Sequence, residues 1–473
     1  MERIVFLTGR LAEPALRRVL DDIAPPRGDA PFRWEVREIG LQVAGLMTAD
    51  MIRRRIATPV EADRILVPGR CRGDLQALGS HFGVPVERGP EELKDLPQYF
   101  NRRTRGIALD APGLEIFAEI VDAPHLGVDA IVERALSLAA EGADVIDLGG
   151  LPDTPFPHLE DSVRAVKAAG LRASVDTLDP DELLRGGRAG ADYLLSLNLD
   201  TLWIADEVAA TPVLIGRTPQ DERSLDEAIE HMAGRGRPFL ADAILDPIPY
   251  GLLASLVRYH GLRARHPDVA ILMGVGNLTE LVEADTTGIN ALLLGIAAEL
   301  RASAILTTRV SPHARRAIRE ADVARRMMHA AVTHAVLPKG LTDQLMTVHA
   351  RRPFPDAPEE IAAIASQVRD PNFRVQVSDE GVHVYNRDGM RLARDPYALW
   401  PQLNLGDDAG HAFYMGVETA RAQIAWQLGK RYAQDQPLDW GCAADPLPAS
   451  AEGATRNPRH GPAAAQGQPG DTA

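Results

Sequence analysis

The sequence predicts an α/β protein built on a (β/α)8 TIM barrel, with a small α/β domain before it and an α+β domain after it. Three observations carry this. Between residues 112 and 335, eight short segments rich in Val, Ile and Leu alternate with amphipathic or Ala/Leu-rich segments of helical length. Residues 1–105 show the same alternation on a smaller scale. Residues 340–442 instead place two alternating segments around Asp379-Glu380-Gly381 and end in a long helical pattern.

In the first part, residues 4–7, 34–39 and 65–67 read as strands, 12–23 as a helix, and a further helix begins near Leu75. That pattern predicts a small open parallel sheet. TGR follows its first strand and PGRCRGD its third; neither is a dinucleotide-binding or P-loop glycine pattern. The barrel strands are expected at 115–120, 144–148, 172–176, 193–196, 213–215, 239–242, 269–273 and 304–306. An eight-stranded doubly wound sheet is the alternative. The apolar run 289–298 contains Asn290 and Gly295 and fits a buried helix. In the third part, 373–377 and 382–385 predict a hairpin and 409–432 a long helix with one buried face. After Cys442 the chain is rich in Pro, Ala, Gly and Gln without periodicity, so 443–473 is expected to be a disordered tail.

Of the 473 residues, 51 Lys and Arg against 66 Asp and Glu leave a formal charge of −15. Such an acidic surface argues against a protein that coats nucleic acid. Two cysteines far apart offer no disulfide framework and no zinc site, which suits a reducing cytoplasm. No run approaches ~18 apolar residues and the N-terminus turns polar too early for a signal peptide, so no membrane role is expected.

Polar residues recur where the barrel strands should end. Asp122 and His125 follow the first and Asp147 ends the second, before Gly149-Gly150. Asp176-Thr177 ends the third, Asn198 follows the fourth, and Asp242 and Asp246 follow the sixth. Asn277 lies in GVGNLTE after the seventh, and Arg309 and His313 in TTRVSPH after the eighth. In a barrel these ends converge on one mouth. Carboxylates and amides gathered there suit a ligand with an amidine-like edge, because a carboxylate accepts two parallel N–H bonds.

At these residues the chain resembles the pterin-binding barrel family, especially dihydropteroate synthase. EGADVIDLGG resembles that family's second-strand signature, ASVDT with PDELL its third-strand element, GADYLLSLN its fourth, and the LDP triplet ending at Pro247 its sixth. The resemblance implies pterin contacts at Asp147, Asp176, Asn198 and Asp246, with the glycines letting the backbone turn beside Asp147. It departs elsewhere. LPDTPFP stands where the family continues Glu-Ser-x-Arg-Pro, and no Asn occurs near Val121 or Asp122. GVGNLTE replaces Ser-Arg-Lys, and TTRVSPH replaces Arg-x-His. That combination, GVGNLTELVEADTTGIN and the stretch HAFYMGVETARAQIAWQLGKRYAQDQPLDWG are similar to the dihydropteroate synthase-related proteins of organisms that use tetrahydromethanopterin.

The resemblance implies a transferase that joins a 6-hydroxymethyl-dihydropterin diphosphate to an arylamine, either p-aminobenzoate or a ribofuranosylaminobenzene phosphate, in folate- or tetrahydromethanopterin-type cofactor synthesis. Gly274 and Gly276 would offer backbone N–H groups to the diphosphate, with Arg309 supplying charge and Asn277 standing at the catalytic position. Asp122 would hold Mg2+, and a reduced pterin would be the substrate. A homodimer is a further expectation. The alternatives are a pterin-dependent methyltransferase acting on a corrinoid, or a pterin-binding protein without catalysis.

Overall fold

The computed structural model describes residues 1–25, 30–90, 93–100 and 107–445. The expected tail lies outside the described residues from 446 on. Packing divides the chain into two compact units. The first comprises Met1–Glu115, Leu294–Ser303 and Ala324–Thr342; the second comprises Ile116–Leu293, Ala304–Val323 and the chain from Asp343 on.

In the first unit, β1 (Arg3–Thr8), β2 (Arg33–Glu38), β3 (Arg64–Val67) and β4 (Val86–Arg88) form a parallel sheet in the order β2-β1-β3-β4. Its central strand β1 is buried from Ile4 to Thr8, as a strand covered on both faces must be. The later segments are joined to this unit by arginines. Arg325 donates to the Leu114 carbonyl at 2.6 Å, Arg326 to that of Asp110 at 2.6 Å, and Arg18 to that of Ala335 at 3.1 Å.

Eight parallel strands close a barrel. They are β5 (Glu115–Ile120), β6 (Val145–Gly149), β7 (Arg172–Asp176), β8 (Tyr193–Leu197), β9 (Thr211–Leu214), β10 (Leu240–Ala241), β11 (Ala270–Gly274) and β12 (Ala304–Thr308). Closure excludes the doubly wound alternative. Phe117, Val145, Leu195, Val213, Leu240, Leu272 and Ala304 pack together as an apolar core drawn from seven of the strands. The barrel interior is therefore solid at this level, not a pore.

In the second unit the chain continues as an antiparallel meander: β13 (Arg374–Ser378), β14 (Gly381–Asn386) and β15 (Gly389–Ala393). The helix Ala409–Leu428 packs on it and stops at Gly429, whose φ of 59° is the left-handed conformation that glycine adopts without Cβ strain. The expected helix ran on to 432; the glycine ends it earlier. No helix among the described residues is long and apolar enough to cross a membrane.

Candidate active site at the barrel mouth

Strand alternation decides which polar residues face inward. Phe117 and Val145 belong to the barrel core, so Glu119 and Asp147, two residues further on, point the same way. By the same count Asp242 follows Leu240, Gly274 follows Leu272, and Leu306 and Thr308 follow Ala304. The register sets Glu119 opposite Asp147, Asp147 opposite Ser174, and Asp176 opposite Gly149. Four acids from four strands thus rise above the apolar core on one side.

One carboxylate oxygen from each of Glu119, Asp147 and Asp176 lies within 4.8 Å of the others. Asp147 is fully buried; its Oδ1 accepts from Ser174 Oγ at 2.5 Å, while its Oδ2 has no hydrogen-bond partner. Ser196 donates to Asp176 Oδ1 at 2.9 Å. It does so from a left-handed conformation, φ 68°, at a register shift in β8. Asp242 Oδ1 accepts from the Ile244 N–H at 2.7 Å and from the hydroxyl of fully buried Tyr259.

Burial and mutual repulsion hold these acids toward their neutral forms. Burial, then Asp176, raises Glu119 to about 7. Asp147 is raised by burial and by both neighbouring acids, against the Ser174 bond. Asp176 is raised by burial, against Ser196. Asp242 is raised to about 6 by burial, against Tyr259 and Ile244.

Gly149 and Gly150 have a different purpose from the turn expected of them. Neither has a positive φ. A Cβ on Gly149 would lie 2.6 Å from Glu119 Oε1, and one on Gly150 2.9 Å from Thr177 Cβ. Gly149 leaves the room that the Glu119 carboxylate fills.

The structure brings Asp147 and Asp176 together and gives several other expected residues local partners. Asp246, the expected sixth-strand pterin contact, is ion-paired with Arg258 at 2.9 Å, the side chains being 18% and 8% exposed. Arg258 also donates to the carbonyls of Ala243 and Ile244, so the pair braces the loop after β10. The acid inside the mouth from this strand is Asp242. Asn198 Oδ1 accepts from the Asp200 N–H at 2.9 Å in a local turn. Asn277 donates to the Leu245 carbonyl at 3.1 Å. Gly274 borders Asp242, but the N–H between the two expected phosphate glycines, that of Val275, bonds the Leu306 carbonyl. Gly276 opens the helix Gly276–Leu281.

Arg309 is held by Glu141 and Ser137, both at 2.7 Å, so its charge is spent within the protein. Asp122 pairs with Arg134 at 2.5 Å and is 47% exposed. A carboxylate already neutralised by a guanidinium does not fit a magnesium ligand. Glu119 and Ser196 were missed as site residues. The signal for Glu119 was available: it is the one acid inside the apolar run Ile116–Ile120, in phase with Phe117.

An acid-lined (β/α)8 barrel in a chain with an added parallel α/β sheet and an added antiparallel meander defines the class. A family model described as a family of unknown function (DUF6513) matches residues 2–91. The uncharacterized protein MJ0107 of Methanocaldococcus jannaschii is 30% identical over 530 residues, covering 92% of this chain and 99% of the relative. The chain belongs to the same family as that protein. Solved structures similar to it include Yersinia pestis dihydropteroate synthase with a pterin–sulfa conjugate, at 18% identity, 46% of this chain, 93% of that chain and a TM-score of 0.37. The Xanthomonas albilineans dihydropteroate synthase in complex with 7,8-dihydropteroate is 21% identical over 48% of this chain and 94% of its own, with a TM-score of 0.36.

Proposed function

We propose that the barrel mouth binds a reduced pterin and that the chain is a pterin-dependent transferase. The observation that carries this is the inward acid Asp242, with one oxygen fixed and the other presented. Asp242 Oδ1 is held by Tyr259 and Ile244. Its second oxygen is left to accept N–H bonds from the amino-pyrimidine edge of a pterin. A Cβ at Gly274 would meet only Asp242 Oδ2, at 4.0 Å, so the glycine leaves room beside that carboxylate for the flat face of such a ring.

The first reading of the reaction is condensation of a pterin diphosphate with an arylamine. A C–N bond forms at the pterin methylene carbon, its C–O bond to the diphosphate breaks, and the amine loses a proton. The second reading is methyl transfer. The N5–CH3 bond breaks, the methyl group passes to a nucleophile such as a reduced corrinoid, and N5 keeps the electron pair and takes a proton. One observation favours the second: Arg309 is committed to Glu141, while the mouth is rich in carboxylates held near neutrality. Without a bound cation such a site offers a diphosphate no positive charge but can protonate an amine.

The purified protein is to be given the pterin diphosphate with p-aminobenzoate or a ribofuranosylaminobenzene phosphate, and separately a methyl-tetrahydropterin with a reduced corrinoid. Amine-dependent diphosphate release supports condensation; methylcorrinoid formation supports methyl transfer. Pterin affinity without turnover supports the binding role alone. No affinity for any reduced pterin contradicts the proposal.

A further inference from the structure

A pterin edge is met by Asp242. Four carboxylates converge on the mouth, so Glu119, Asp147 and Asp176 need another partner. Asp147 is the clearest case. It is fully buried, and its Oδ2 lacks any hydrogen bond. Burying a carboxylate oxygen without a donor is costly unless a proton or a cation meets it.

We propose that Glu119, Asp147 and Asp176 hold one divalent, oxygen-preferring cation of the Mg2+, Mn2+ or Ca2+ class at the barrel mouth. The donor set is three carboxylates with no imidazole or thiolate, which selects hard ions over zinc or copper. Three atoms no more than 4.8 Å apart share a point about 2.8 Å or less from each, and Ca2+ bonds oxygen at about 2.3–2.6 Å, so small inward movements complete the contact. The ligands come from adjacent strands β5, β6 and β7, whose register is set by backbone pairing. Supporting contacts orient them. Ser174 takes the other oxygen of Asp147, and Ser196 takes one of Asp176. The space is reserved as well: a Cβ on Gly149 would strike Glu119 Oε1 at 2.6 Å. This site is distinct from Asp122, whose charge Arg134 already balances.

The inference stands apart from the pterin reading, because it is measured with no pterin present. Full-length protein is freed of metal with a chelator and titrated with Mn2+, the free ion being followed by electron paramagnetic resonance. One Mn2+ per chain is expected, displaced by excess Mg2+ or Ca2+. Glu119→Gln should weaken it at least about tenfold, because one of three anionic ligands is lost. Gly149→Ala should weaken it as well while leaving every carboxylate in the chain. Asp122→Asn should leave it unchanged. Melting curves show whether each variant is folded, and they carry a second reading. Without metal, Glu119→Gln should melt no lower than wild type, since it relieves repulsion among the acids; with Mn2+ wild type should gain more than Glu119→Gln. Absence of Mn2+ binding by folded wild type, or equal binding by folded Glu119→Gln, would overturn the proposal.

Discussion

Asp246 and Asp242 stand four residues apart and differ in what surrounds them. Asp246 faces Arg258 in a pair shielded from water. Replacing it by Asn leaves the guanidinium buried with only two carbonyls as partners. Asp246→Asn should therefore cost about 2–3 kcal/mol of stability, read as a lower urea midpoint. The LDP triplet looks like a motif and points to Asp246, whereas the strand that sets the inward phase, β10, is only two residues long. Asp147 was legible because an acid inside an apolar run is conspicuous. Glu119 was equally conspicuous by period but belonged to no motif. The role of Gly149 depends on a neighbouring strand's side chain, which no local pattern reveals.

These acids also make a pH prediction for the metal-free protein. In the unfolded chain Glu119 and Asp242 lose their protons near the ordinary carboxylate values. In the folded chain they keep them up to about 7 and about 6. The folded state binds more protons in between, so stability is greatest on the acid side and falls as pH rises through this window. Glu119 contributes on the order of 2–3 kcal/mol. Glu160, lowered to about 2 by Arg185, acts with the opposite sign but only below about pH 4.5. Urea midpoints between pH 5 and 8 with chelator present should decline for wild type and flatten for Glu119→Gln. A wild-type profile flat across that range would contradict the repulsion between these acids.

At the scale of elements, the loop after β6 is the piece that must stay in place for Asp147 and Gly149 to do so. Glu182, buried on the helix Pro180–Arg188, accepts from the Phe156 N–H and from Thr177 Oγ1, both at 2.8 Å. One side chain thus ties the loops after β6 and β7 together. Glu182→Ala strands two buried donors and should cost about 2–4 kcal/mol, measured by chemical denaturation. A loss below about 0.5 kcal/mol would mean that water replaces the carboxylate there. The eight barrel strands were readable because buried parallel strands are short apolar runs between helical patterns. β4 and β15 were not. β4 has three residues, and β15 is mostly exposed, so neither carries an apolar signature.

For the molecule as a whole, the expected three-part division and the observed two units differ where distant segments meet. Arg325 reaches the Leu114 carbonyl across some 211 positions of sequence, and Arg326 that of Asp110 across 216. Side chain to carbonyl contacts of that range leave no periodicity to read. We propose that the mouth of the barrel recognises a reduced pterin through Asp242. Calorimetric titration of wild type, Asp242→Asn and Asp246→Asn with one reduced pterin tests it most directly. Asp242→Asn turns a donor toward a donor and removes a charge-assisted bond, so affinity should fall about 10- to 100-fold. Asp246→Asn should bind within about threefold of wild type, less than ~0.7 kcal/mol. Unchanged affinity in folded Asp242→Asn, or a large loss confined to Asp246→Asn, would contradict the account.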